Sequence, residues 1–162
     1  MAKLQVTTPS DVEIMTRRDF DAPRELVWDC HTQPALVRRW MLGPPGWTMP
    51  VCDIDLRVGG KYRYVLSGPN GEEMGFGGVH KEIVAPERIL ATQLYDMDWT
   101  GGETITTLQL TENNGRTTVT NTILYASKDA RDGALKTPMA EGMEAGYGVM
   151  DALLATLPAA KA

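Results

Sequence analysis

The sequence predicts an α+β domain: a strongly curved antiparallel sheet of about seven strands wrapped around a long C-terminal helix, with two short helices after the first strand. Three observations predict it. From about Glu72 to Tyr125, apolar residues recur with period two in segments separated by Gly-, Pro- and Asn-containing turns, as in consecutive antiparallel strands. Near the C-terminus, Leu135, Met139, Met143, Tyr147, Met150 and Leu154 follow one another at steps of three or four, which puts them on one helical face. Near the N-terminus, Pro23 and Pro34 each open a short segment with one apolar side, so the pair is bent and not a single rod.

The elements follow in order. Residues 1–11 read as a flexible lead, 12–157 as the single domain and 158–162 as a tail. Val12 to Phe20 alternates Val12, Ile14, Thr16 and Phe20 with charged neighbours, giving a first strand that Asp21-Ala22-Pro23 ends. Leu26, Val27 and Cys30 form the apolar side of the first helix. Leu36, Val37 and Trp40 form that of the second. Gly43-Pro44-Pro45-Gly46 reads as a rigid loop presenting Trp47. Cys52, Ile54 and Leu56 then alternate with Asp53, Asp55 and Arg57, and Val58-Gly59-Gly60 makes a tight turn. Tyr62, Tyr64 and Leu66 share one face of the next strand, and Met74, Phe76, Gly78 and His80 share one face of the strand after the Asn70-Gly71 turn. Turns at Ala85-Pro86-Glu87 and Asn113-Asn114-Gly115, and a longer connection from Met97 to Gly102, separate the last three strands. The terminal helix begins after Ser127, with Asp129 and Asp132 near its positive end.

Composition narrows the function. A net charge of −5, with basic residues only in pairs such as Arg17-Arg18 and Arg38-Arg39, argues against a nucleic-acid partner, which needs a basic stripe. No apolar run reaches the roughly 20 residues that span a bilayer, so no membrane insertion is expected. The polar N-terminus lacks the apolar stretch of a signal peptide, and the expected location is cytoplasmic. Cys30 and Cys52 are expected to be reduced there. With only His31 and His80 beside them, no spacing resembles a zinc site, and neither metal nor cofactor is expected.

Several segments resemble a known family. Asp21-Ala22-Pro23 followed by Arg24-Glu25-Leu26-Val27-Trp28 resembles the opening of the SRPBCC or START-like helix-grip superfamily, the fold of the birch pollen allergen and polyketide cyclases. Within it, Leu36-Val37-Arg38-Arg39-Trp40, Asp55-Leu56-Arg57-Val58-Gly59-Gly60, the run from Gly78 to Ile89 and Glu141-Gly142-Met143 are similar to the branch named after the C-terminal domain of the activator of the heat-shock protein 90 ATPase. The resemblance implies a helix-grip fold from about Val12 to Leu157. For function it implies binding of a small hydrophobic or amphipathic molecule under the terminal helix, with or without lyase or cyclase-type chemistry. The alternative it carries is a protein-interaction module that modulates a heat-shock protein 90-type chaperone ATPase.

The candidate cavity residues are Trp40, Trp47, Tyr62, Tyr64, Met74, Phe76, His80, Trp99, Asn121, Met139, Met143 and Tyr147. His80 falls on the inward face with Met74 and Phe76, where an imidazole can orient a polar ligand group, act as a base, or be a satisfied core histidine. Asn121 alternates with Val119 and Ile123, so its amide faces either a ligand or a neighbouring strand. Tyr62 and Tyr64 pair apolar rings with hydroxyls, which suits an amphipathic ligand or an ordinary core. Trp40, Trp47 and Trp99 are placed either at the cavity rim or as packing that closes the barrel end, and Trp28 in the core. Flexible methionines on the facing helix suit either a ligand cavity or a solid core. Asp53 and Asp55 lie opposite Ile54 and Leu56 and read as a solvated face, not an acid/base pair. Gly75-Phe76-Gly77-Gly78 lacks the helix and the Lys-Ser/Thr of a phosphate loop and reads as a bend. No catalytic residue is assigned. A homodimer and a chaperone partner both stay open.

Overall fold

The computed structural model describes residues 3–42 and 45–157. Gly43 and Pro44 of the expected rigid loop, and the expected tail at 158–162, lie outside the described residues. The strands are β1 (Gln5–Thr7), β2 (Glu13–Phe20), β3 (Thr48–Ile54), β4 (Lys61–Ser67), β5 (Glu73–Val84), β6 (Arg88–Tyr95), β7 (Thr104–Asn113) and β8 (Arg116–Leu124). The helices are α1 (Arg24–Thr32) and α2 (Pro34–Trp40) after β2, and α3 (Lys128–Leu135) and α4 (Met139–Leu154) at the end.

All neighbouring strands are antiparallel, in the order β1-β2-β8-β7-β6-β5-β4-β3. The class is therefore the predicted one, with eight strands instead of about seven. The extra strand comes from the segment read as a flexible lead. Gln5, Val6 and Thr7 pair with Arg17, Thr16 and Met15, and the unpaired edge of β2 offers them hydrogen bonds.

Local chemistry sets the turns. The β7–β8 hairpin closes through Asn114 and Gly115, both at positive φ (54° and 76°), as expected of Asn-Gly. Pro23 and Pro34 begin α1 and α2, and the indole N–H of Trp40 donates to the Cys30 carbonyl at 2.6 Å, locking the bent pair. In β5, a Cβ on Gly77 would lie 2.3 Å from the Tyr62 carbonyl oxygen, and one on Gly78 would lie 1.9 Å from that of Thr92. Only glycine admits this approach of three strands, and a register shift follows between His80 and Glu82.

The terminal helical segment differs from the single rod expected. Pro138 caps α4 and cannot continue the hydrogen-bonding of α3, so Lys136-Thr137-Pro138 is a break between two helices. Leu135 consequently leaves the seam and is exposed, whereas Tyr147, Met150 and Leu154 are buried and Met139 and Met143 partly so. The solid core lies at the α1, α2 and lower α4 end, around Phe20, Val27, Val37, Leu110, Val119 and Met150. A smaller cluster of Ile14, Ile123, Tyr125 and Ala134 holds α3. Among the described residues, no helix is long and apolar enough to cross a membrane.

Arg18 is an inward-facing charge on β2 and is almost wholly buried. Its guanidinium donates to both carboxylate oxygens of Asp151 (2.9 and 2.7 Å) and to Glu144 (3.0 Å), both on α4. It also lies 4.8 Å from the Phe20 ring centroid. This charge-assisted clamp ties α4 across the sheet.

Candidate functional site

The solid core does not extend under the upper half of α4. There the concave sheet face and the helix enclose a cavity of about 620 Å³. The opening follows from Gly142 and from the break at Pro138, both of which border it, whereas Gly146 lets α2 approach, since a Cβ there would lie 3.0 Å from the Trp40 carbonyl oxygen. Successive inward positions of each strand supply the walls. They are Tyr62, Tyr64 and Leu66 on β4, Phe76 and His80 on β5, Gln93 and Tyr95 on β6, Thr104 and Thr106 on β7, and Asn121 and Ile123 on β8.

Eleven of the twelve residues nominated from sequence line this one cavity: Trp40, Tyr62, Tyr64, Met74, Phe76, His80, Trp99, Asn121, Met139, Met143 and Tyr147. Trp47 does not. It packs, partly buried, against the core, the second of the two places open to it. Trp28 is in the core and Asp53 and Asp55 are exposed, as read.

Two aromatic ladders form the walls. On the β4–β6 side, centroid separations of 4.7–5.4 Å link Trp99, Tyr95, Phe76, Tyr64, Tyr62 and His80 in series. On the helical side, His31 meets Trp40 edge-on at 5.1 Å, and Trp40 stacks on Tyr147 at 5.6 Å. Each ladder ends in one of the two histidines of the chain.

The polar groups that line it are hydroxyls, side-chain amides, indole N–H groups and the two imidazoles. Tyr62 donates its hydroxyl to the Thr92 carbonyl at 2.6 Å, and Tyr125 lies 3.9 Å from the Met139 sulfur. Desolvation raises the hydroxyls of Tyr62, Tyr64, Tyr95 and Tyr147 well above the usual phenol range and pushes Tyr125 up to about 12, so all remain protonated donors. The Nδ1 atoms of His31 and His80 lie 2.8 and 3.0 Å from the carbonyl oxygens of Val27 and Asp55. A carbonyl can only accept, so each Nδ1 carries a hydrogen, and in the neutral ring Nε2 is left as an acceptor. The side-chain amides of Gln93 and Asn121 make no hydrogen bond among the described residues, although both line the cavity. Among the described residues, no Asp, Glu, Lys or Arg lines it.

Sequence reasoning missed His31, Gln93, Tyr95, Thr104 and Thr106. The last four had a legible signal: Ile89, Ala91, Gln93 and Tyr95 alternate along β6, and Thr104, Thr106 and Leu108 along β7. Their polarity disguised the inward face. His31 stands four residues after Val27 and so shares its buried helix face.

A family profile described as "Activator of Hsp90 ATPase homolog 1-like protein" matches residues 21–155. The chain belongs to this family. Among solved structures, the family member is similar to a Rhodobacter sphaeroides protein at 36% identity, covering 96% of this chain and 99% of that one, with a TM-score of 0.90. A Mycobacterium smegmatis protein is 25% identical over 95% and 99% of the two chains, with a TM-score of 0.80. A protein of Aeromonas hydrophila described as AHSA1-like shares the fold at 20% identity, over 87% and 93% of the chains, with a TM-score of 0.71. No curated protein matches the chain significantly.

Proposed function

We propose that this protein binds one uncharged, hydrophobic to amphipathic small molecule between the sheet and α4. The observation that carries the reading is the cavity of about 620 Å³, walled by stacked rings and lined, among the described residues, by no charged side chain. Its volume falls within the roughly 300–1,000 Å³ of sites for drug-sized ligands. A carboxylate or ammonium would be desolvated there without a counter-charge, so the walls select against ions. Flat aromatic walls favour a ligand with rings of its own.

A proton-transfer step of the lyase or cyclase kind is the second reading, and the fixed tautomer of His80 favours it. With Nδ1 held by Asp55, the opposite nitrogen is the ring's basic site, and Tyr64 and Asn121 offer hydrogen-bond donors in the same cavity. The modulation of a chaperone ATPase named in the family description ranks below both, because the cavity gives it no role.

Denaturing extraction of freshly purified protein, followed by mass spectrometry of the released small molecules, tests the main reading. A stoichiometric neutral compound absent from a Met143→Trp preparation supports it. A saturable acceleration of a bacterial heat-shock protein 90 ATPase, with no compound released, would reverse the order of the readings.

A further inference from the structure

Two carboxamides interrupt the inner face of the sheet. On β6, Gln93 alternates with Ala91 and Tyr95, while Leu94 between them is exposed on the outer face. On β8, Asn121 alternates with buried Val119 and Ile123. Both side chains therefore point inward, and both line the cavity. Their backbone carbonyls accept from the hydroxyls of Thr104 and Thr16, but their amide groups have no partner among the described residues. Neither amide is sealed in. Both residues are only partly buried, and none of their side-chain atoms is among the unpaired ones closed to solvent, so a molecule in the cavity can reach them. Packing does not account for the two residues. The wall tyrosines contribute ring area whatever their hydroxyls do, whereas a carboxamide at an inward strand position fills no space that leucine or methionine would not fill better.

We infer that Gln93 and Asn121 are specificity-determining residues of the cavity, whose carboxamides hydrogen-bond polar groups at opposite ends of one elongated, uncharged ligand of two or more rings. The inference rests on the binding reading above and adds the shape and the polar pattern of the ligand. Spacing sets the shape. Thr104 faces Gln93 and Leu108 faces Asn121 across β7, so the two residues stand two strands apart and four residues along the sheet. In a sheet that is roughly 10 Å by 13 Å, too far for the amides to bond each other and suited to a molecule lying diagonally between them. Chemistry sets the pattern. Each carboxamide offers an N–H donor and a carbonyl acceptor, so a hydroxyl or a carbonyl group fits at either end. Between them the inner face presents Ala91, Thr106 and Ile123, and the hydroxyl of Thr106 is turned to the Ala91 carbonyl, so the middle of the ligand meets a largely apolar floor.

The test titrates 4,4′-dihydroxybiphenyl, 4-hydroxybiphenyl and biphenyl into wild type, Gln93→Leu, Asn121→Leu and the double variant, following the emission of the cavity tryptophans Trp40 and Trp99. Each single substitution should weaken the dihydroxy compound about tenfold, the worth of one hydrogen bond, and the pair about a hundredfold. The monohydroxy compound can turn to use whichever amide remains, so only the double variant should lose it by about tenfold. Biphenyl should bind every variant at least as tightly as wild type. The empty variants should resist urea as well as wild type or better, because the amides they lose have no partner within the chain. Wild type alone supplies a further readout: nuclear Overhauser contacts should join the side-chain amide hydrogens of both Gln93 and Asn121 to the ring hydrogens beside the hydroxyls of bound 4,4′-dihydroxybiphenyl. Affinity for that compound unmoved by either substitution, empty variants that lose stability, or contacts from only one amide or neither overturn the assignment and leave the cavity reading standing. Binding of none of the three compounds to wild type overturns both.

Discussion

Met143 and Met150 sit two helical turns apart on the same face of α4, yet the structure gives them opposite surroundings. Met150 is fully buried in the solid core, whereas Met143 is partly buried and borders the cavity. Truncating Met150 to Ala removes a side chain that neighbours enclose on all sides, and the cost should be about 2–5 kcal/mol. Enlarging Met143 to Trp adds a few tens of Å³, which a packed core would resist at about 1–3 kcal/mol. Here the added rings enter an open volume of about 620 Å³. They also remove apolar surface from water, so Met143→Trp should alter stability by less than about 1 kcal/mol in either direction. The same substitution narrows the space between α4 and the ring ladder and should weaken 1-methoxypyrene binding by at least about tenfold. Urea denaturation gives the first quantity and fluorescence titration the second. Destabilisation of about 2 kcal/mol or more by Met143→Trp, with no probe binding by the parent, would refute the hollow arrangement.

Other positions give sharp expectations. Gly78→Ala places a Cβ 1.9 Å from the Thr92 carbonyl oxygen and should destabilise by about 3 kcal/mol or more, whereas Gly133→Ala meets nothing within 4 Å in α3 and should stabilise by about 0.5–1 kcal/mol; equal effects in thermal melts would count against the strand geometry. Asp151→Asn deprives buried Arg18 of a charged bidentate partner; because Glu144 remains and Asp151 is 46% exposed, the loss in urea denaturation should be about 1–2 kcal/mol, and no loss would show the clamp to be idle. His31 links stability to pH. Its folded value of about 4 lies below the ordinary 6.5, so the unfolded chain takes up the proton first as pH falls. That stability is fully present above about pH 6.5 and is lost towards pH 4, by up to about 3 kcal/mol for a shift of this size. His31→Phe should flatten that part of the profile, and parallel profiles would show that His31 is not the group responsible.

The parts of this molecule that were legible in the sequence are those governed by period and by turn chemistry. Alternation placed Tyr62, Tyr64, Phe76 and His80 on the inner face, and Asn114-Gly115 and the two prolines set their turns as expected. Where one position belongs to two patterns, the reading slipped. Leu135 kept the helical spacing, but Pro138 interrupts the rod, and a broken hydrogen-bond ladder resets the phase of the face. Gln5–Thr7 carries too little hydrophobic signal to announce a strand, since an edge strand draws its pairing from the neighbour's backbone. Arg18 read only as one of a basic pair, because its burial depends on Glu144 and Asp151, more than 120 positions away. Trp47 was left open between rim and packing, and His31 went unnominated, for a related reason. Whether a ring lines a cavity or fills a core depends on the packing of elements distant in sequence, and a local window does not contain that information.

If the hollow under α4 takes up a ligand as proposed, the lifetime of the chain follows the supply of that ligand. A single domain holds only about 5–15 kcal/mol in reserve against unfolding. Any molecule that fills the space in the folded form alone adds about 2.7 kcal/mol to that reserve when its concentration reaches a hundred times its dissociation constant. The same change lowers the unfolded fraction about a hundredfold, and with it the rate at which proteases acting on open forms consume the chain. A cell short of the compound would clear the empty protein faster than the filled one, and abundance would track the occupant without any separate sensor.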